Sequence, residues 1–283
     1  MFHGSMVALV TPMDDDGNVN FEALERLIEF HVENATDAIV AVGTTGCDVV
    51  LHVVKFANDR VPIIAGTGSN CTREAIKLTR CAMEAGADAC LLVAPYYNKP
   101  SQEGIYLHYK AVAEAVPIPQ ILYNVPGRTV CDIMPETVAR LADISNIIGI
   151  KEATGSVTRA QDIMALCGDK LDIYSGDDAT ALALMLAGAK GDISVTANVA
   201  PRDMHDMCVA AINGERSKAQ EINDRLMVLH RGLFVEANPM PVKWALHQMG
   251  MIPQGLRLPL TPLAETHYSV VSNALKNAGI IGL

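Results

Sequence analysis

PQILYNVPGRTVCDIMPETVARLADISNIIGIKEATG, residues 119–155, holds two short apolar runs with an amphipathic segment between them. The runs QILY and NIIGI are nearly continuous in apolar residues, the pattern of strands covered on both faces. MPETVARLADIS (134–145) has helical spacing and supplies the crossover that two parallel strands require. The same alternation extends in both directions, with strand candidates at 4–12, 37–46, 61–70, 88–97, 119–128, 146–155, 171–179 and 191–199. Helical stretches lie between them, such as FEALERLIEFHVEN (21–34) and TREAIKLTRCAMEAG (72–86), the latter stopped by Gly86. Eight βα units in about 210 residues predict an α/β fold, a closed (β/α)8 TIM barrel. After Asn213-Gly214 the strand pattern stops and three helical segments follow. The expected division is a barrel with the active site at 1–214 and a C-terminal helical appendage at 215–283.

The 283 residues are 50% hydrophobic, 19% charged and 5% aromatic, enough apolar material for a large core and incompatible with a disordered, collagenous or coiled-coil chain. Lys+Arg 22 against Asp+Glu 32 gives a net charge of −10, which repels phosphate backbones and anionic lipid, so neither nucleic acid nor membrane is an expected partner. The first basic residue is Arg26, Pro12 interrupts the opening apolar run, and ALALMLAGA (181–189) falls short of the ~18 residues of a membrane span. A cytoplasmic location is expected. Seven cysteines without a C-x-x-C pair suit a reduced compartment and no disulfide framework. Eight histidines without H-x-H or H-E-x-x-H, and no Asp-x-Asp-x-Asp/Asn loop, give no support for a metal site.

Barrel enzymes carry their chemistry at the C-terminal ends of the strands. Of ten lysines, Lys151 alone ends a buried strand, after Ile147-Ile148-Gly149-Ile150. Alternation places Ile147, Gly149 and Lys151 on one face, with Gly149 leaving room for the lysine stem and Glu152 on the other face. A desolvated lysine is a nucleophile towards carbonyls, which makes Lys151 a Schiff-base candidate; an interior ion pair is the other reading. Tyr123 ends QILY beside it, as a proton relay or as a core tyrosine. Thr44 and Thr45 close IVAVGTTG, a turn suited to a carboxylate and also an ordinary strand ending. Arg128, after Pro126-Gly127, either forks a carboxylate or lies on the surface. GTGSN (66–70) is no dinucleotide fingerprint, because Cys71 stands where the third glycine belongs, and no Walker lysine occurs.

GTTG, AGTGSN, PYYNKPSQEG, ILYNVPGRT, IIGIKEATG, YSGDDA, ISVTANVAPRDM and NPMPVKWAL, in this order over nearly the whole chain, resemble the dihydrodipicolinate synthase family. The resemblance implies a lyase that condenses pyruvate with L-aspartate 4-semialdehyde to 4-hydroxy-tetrahydrodipicolinate, in lysine and diaminopimelate synthesis. It implies that Lys151 forms the pyruvate imine, that Tyr123 is the general acid/base, and that Thr44 passes protons between it and Tyr97 of a neighbouring subunit. It further implies that Thr45, Ile193 and Gly176 hold the ketoacid and that Arg128 takes the semialdehyde carboxylate. No cofactor beyond the covalent imine is implied. The assembly implied is a homo-oligomer, a tetramer built as a dimer of dimers. N-acetylneuraminate lyases and 2-keto-3-deoxy sugar acid aldolases share the lysine, the tyrosine and the turn; the arginine of NVPGRT matches a short carboxylated aldehyde instead. A catalytically silent oligomeric barrel would lose a member of the lysine-tyrosine-threonine set, and none is lost.

One departure stands out. Family members continue GTTG with a glutamate and a short loop, whereas Gly46 here runs directly into Cys47-Asp48-Val49-Val50, a shortening of about ten residues. The remaining 48–58 makes ~16 Å of helix, against the ~17–20 Å return path of a strand, so the crossover is expected just to close. In the family the shortened stretch contributes to lysine feedback, and weakened feedback is expected.

Overall fold

Each apolar run offered as a strand pairs in parallel with its neighbours in the computed structural model of the chain, which describes residues 2–41 and 47–281. The strands are β1 (Gly4–Leu9), β2 (Ala38–Ala41), β3 (Ile63–Gly66), β4 (Ala89–Val93), β5 (Gln120–Asn124), β6 (Ile147–Glu152), β7 (Asp172–Ser175) and β8 (Gly191–Ser194). They form a closed barrel in sequence order, sealed where Gly4 to Val7 of β1 pair with Gly191 to Ser194 of β8. The expected (β/α)8 barrel is the observed fold. Between the strands run α1 (Phe21–Glu33), α2 (Cys47–Ala57), α3 (Thr72–Glu84), α4 (Gln102–Ala115), the single turn α5 (Pro126–Thr129), α6 (Pro135–Leu141), α7 (Val157–Cys167) and α8 (Asp178–Ala187). Their starts are set locally: the side chains of Asn20, Ser101 and Ser156 accept bonds from Ala23, Gly104 and Arg159 N–H groups and so cap α1, α4 and α7.

Strand alternation divides the core into two layers. Met6, Val40, Ile64, Leu91, Ile121 and Ile193 fill the barrel interior, while Val7, Ile39, Ile63, Leu122 and Ile173 face the helices. The alternation fails once. Gln120 pairs with Ile147 but Ile121 pairs with Gly149, so β6 carries an irregularity there that turns Ile147 outward and Ile148 inward. The expectation that Ile147 shares the face of Lys151 is corrected by this extra residue.

The short crossover closes. α2 begins at Cys47, buries Val49, Val50, Val53 and Ala57, and delivers the chain to β3 in register with β2, Ile39 opposite Ile63. Cys47 and Cys81, with Cα atoms 6.2 Å apart, are paired as a disulfide between α2 and α3. The expectation of unpaired cysteines does not hold for these two, which sit 34 positions apart and meet because adjacent crossover helices pack side by side.

The eighth barrel helix, α9 (Pro201–Ile212), is followed by α10 (Arg216–Gly232), α11 (Met240–Gln248) and α12 (Tyr268–Asn277), the three expected helices. α10 packs against α8, α9 and α12, and Trp244 of α11 stacks on Tyr268 of α12 with ring centroids 4.8 Å apart. Among the described residues no helix is long and apolar enough to cross a membrane.

Candidate active site

Lys151 occupies the inner face of β6, in register with Tyr123 on β5 and Tyr174 on β7. The residue is 5% exposed, and its Nζ lies 4.6 Å from the centroid of the Tyr123 ring. The ion pairs among the described residues do not include it, so the interior ion-pair reading fails there. Glu152 points to the opposite face as expected, accepting bonds from Asn124 Nδ2 at 3.0 Å and the Thr154 N–H at 2.8 Å.

The space around the lysine stem is made by a different glycine from the one alternation suggests. A Cβ on Gly176 would stand 2.7 Å from Lys151 Cε and 2.9 Å from its Cγ. A Cβ on Gly149 would instead meet Tyr174 Cε2 at 2.8 Å and Asp172 O at 2.9 Å. Gly149 therefore makes room for the tyrosine below the lysine. That tyrosine, wholly buried, floors the site; its hydroxyl donates to Asp172 Oδ2 at 3.3 Å, and burial pushes its phenol far up.

A cavity of about 560 Å³ opens above this floor, lined among others by Tyr123, Lys151, Gly176, Arg128, Gly68 and Asn238. Gly68 is required, because a Cβ there would stand 2.3 Å from Val93 N. Arg128 rides on the single turn α5, ended by Val130 at φ 55°, and its Nη1 donates to Asn238 O at 3.3 Å. The structure thus gathers Lys151, Tyr123, Arg128 and Gly176 around one space. Ile193, on β8, is 1% exposed and packs in the barrel interior. Tyr97 stands apart: its N–H donates to Thr129 O at 3.2 Å, its φ is 75°, and it is 85% exposed, outside the cavity of its own chain. Thr44 and Thr45 lie outside the described residues.

Behind β8 lies a polar network that pattern reading overlooked. Asp178 Oδ2 accepts from the N–H groups of Val195 and Thr196, at 3.1 and 2.9 Å, and from Thr196 Oγ1 at 3.0 Å. Thr196 Oγ1 also meets His230 Nδ1 at 2.9 Å, and Asn198 Nδ2 donates to Ala8 O at 2.9 Å. These bonds pin the turn that follows Ile193. Burial and the charge of Asp178 hold the wholly buried Asp192 carboxyl well above the usual range, in its neutral form. Burial also raises Asp178, but His230 and the bonds from Thr196 outweigh it and hold this carboxyl below its usual range. One acid of the pair is neutral and the other ionised. The available signal was a charged residue, Asp192, inside the wholly buried strand GDIS.

A buried lysine ending a barrel strand, a tyrosine beside it and an arginine at the rim define the class: a (β/α)8 barrel enzyme centred on an interior amine. The sequence profile of the dihydrodipicolinate synthetase family matches residues 1–278, and the chain belongs to that family. It is 64% identical over 290 residues to the 4-hydroxy-tetrahydrodipicolinate synthase of Thioalkalivibrio sulfidiphilus, covering 99% of each chain. It is 61% identical over 291 residues to the enzyme of that name from Nitrosococcus oceani, covering 99% of this chain and 100% of the other. Among solved structures, the chloride-inhibited dihydrodipicolinate synthase of Acinetobacter baumannii complexed with pyruvate superimposes with a TM-score of 0.97 at 55% identity, over 99% of this chain and 100% of that one. An alignment of 290 positions holds at most 283 residues of this chain, so it leaves at least seven residues of the first relative unmatched, in keeping with a shortened segment.

Proposed function

We propose that the chain condenses pyruvate with L-aspartate 4-semialdehyde to give 4-hydroxy-tetrahydrodipicolinate, as a lyase of lysine and diaminopimelate synthesis. The observation that carries this reading is the burial of Lys151, outside the ion pairs of the described residues, beside Tyr123 in a cavity that Arg128 borders.

The Lys151 amine adds to the pyruvate carbonyl, and loss of water leaves an imine. The protonated imine draws electrons from the methyl group, so a methyl proton departs and an enamine forms. Its carbon attacks the aldehyde of the second substrate, whose oxygen takes up a proton. The amino group of the semialdehyde then attacks the imine carbon, closes the ring and expels Lys151. Tyr123 moves these protons, relayed through Thr44 to Tyr97 of a neighbouring subunit. Thr45, the Ile193 backbone and Gly176 hold the ketoacid, and Arg128 takes the semialdehyde carboxylate as a bidentate fork. The imine itself is the electron sink, so the reaction runs without a cofactor or metal ion. The exposure of Tyr97 supports its use across a subunit boundary, in a tetramer arranged as a dimer of dimers.

Borohydride reduction in the presence of pyruvate, followed by peptide mass mapping, tests this. A stable adduct is expected on the peptide containing Lys151 and is expected to vanish in Lys151→Met. Absence of an adduct, or an adduct on another lysine, would reject the mechanism.

A further inference from the structure

Beyond Arg128 and Asn238, which wall the active pocket on one side, lies a second cavity of about 560 Å³. We propose that this chamber is a binding site for a small carboxylate that carries no ammonium group. Three cationic residues line it, Arg128, Lys243 and Arg257, and among the described residues no acidic one does.

Lys243 carries the case. It is 5% exposed and sits in the first turn of α11, where the exposed N–H ends of the helix already make the potential positive. Its Nζ donates to Gly255 O at 2.9 Å, and the ion pairs among the described residues include neither it nor Arg128 nor Arg257. Burial, then the charge of Arg257, brings its ammonium down to about 8. A buried cation without a counter-charge is costly to a fold, and the cost falls when an anion enters. Arg257 commits its Nε to Gly17 O at 2.5 Å, which leaves the ends of its guanidinium fork for a ligand. The turn at 14–18 brings acid close, since a Cβ on Gly255 would stand 1.9 Å from Asp14 O. Asp14 is already occupied, with Oδ1 accepting the N–H groups of Asp16 and Asn18 at 3.0 and 2.8 Å.

The chamber's chemistry narrows its ligand. The three cations with Thr11 and Asn238 suit a carboxylate, while Leu9, Leu258 and Pro259 give apolar walls around a short carbon chain. An amino acid would bring an ammonium among these cations with no acid in the lining to pair it. With a chain net charge of −10, long-range attraction for anions is absent, so such a cluster must act at contact range.

Malonate is the probe. Calorimetric titration into the Lys151→Met chain removes the active-site lysine while leaving every residue of the chamber in place, so the outcome does not depend on imine formation. Saturable binding at one site per chain is expected, weakened about tenfold or more by adding Lys243→Met or Arg257→Gln. Aminomalonate is expected to bind at least tenfold more weakly than malonate. Should Lys243→Met fail to fold, as judged by circular dichroism, the exposed Arg257→Gln decides. No saturable malonate binding, or equal binding in the Arg257→Gln chain, overturns the site, and equal binding of aminomalonate overturns the exclusion of amino acids.

Discussion

Gly149 lies within β6 and Gly176 directly follows β7, and a methyl group added to them would strike different parts of the molecule. On Gly176 it would displace the Lys151 stem and touch Ala153 Cβ at 2.7 Å. Gly176→Ala is expected to lower kcat about a hundredfold, because a shift of about 1 Å in a reacting group costs that much, with only a small change in melting temperature. On Gly149 it would strike the Tyr174 ring and the Asp172 carbonyl, both deep in the barrel. Gly149→Ala is expected to cost about 1–3 kcal/mol of stability by overpacking, visible in urea denaturation. If both variants behaved alike, the separate tasks assigned to the two glycines would be wrong. Lys151, Tyr123 and Arg128 were legible because strand ends name themselves once the strands are found. The packing of Gly176 on the lysine stem was not, because this glycine follows β7 and only the pairing of β7 with β6 brings it there.

Among the elements, β8 depends on the helices behind it. Asp192 on β8 and Asp178 at the start of α8 share one environment, with His230 of α10 closing it. The neutral Asp192 carboxyl has a folded-state pKa above its unfolded value, near 3.9. Below that unfolded value both states hold the proton and stability is unaffected. As pH rises further the unfolded chain releases the proton that the native chain keeps, so stability falls until the native pKa is passed. Asp192→Asn keeps the hydrogen-bonding shape of a neutral acid and loses the titration. Its stability relative to the parent is expected to be equal near pH 3 and about 1–3 kcal/mol greater at pH 7–8, measured by urea unfolding across pH. A gain independent of pH would show that Asp192 is ionised in the native chain. None of this was accessible to periodicity, which reads a four-residue strand as buried without saying what its aspartate meets. The β6 irregularity is a similar case: a period of two reaches Lys151 correctly when counted back from its end, and misplaces Ile147 because an extra residue intervenes.

For the whole molecule, eight apolar runs and their crossovers were enough to deduce the closed barrel, since parallel strands with short connections admit few other closures. The chamber at Lys243 and Arg257 was invisible, because its walls come from β1, α5, α11 and the stretch before α12, and only tertiary structure joins them. Assembly is the remaining level. If Tyr97 serves the site of a neighbouring copy, Tyr97→Ala and Lys151→Met should each be nearly inactive alone and regain activity when co-expressed. Random mixing in a dimer leaves about a quarter of the sites with both residues intact, so recovery towards that level is expected in the coupled assay. Recovery indistinguishable from zero would place Tyr97 in its own chain's chemistry.

The contacts of Gly255 and Arg257 with the segment Asp14 to Gly17 span most of the chain. All eight strands have been synthesised by Ser194, so a nascent barrel can close while one side of its mouth is still missing. Such distant pairings form late, because the intervening chain must first be ordered. A ribosome-bound chain would then hold an open-mouthed barrel, and the rim beside Arg128 would take its final form only when residues 238–257 fold back over the turn after β1. The amine at Lys151 would gain its complete surroundings as one of the last events of folding, which limits how long a partly built site is exposed to the ketoacids of the cell.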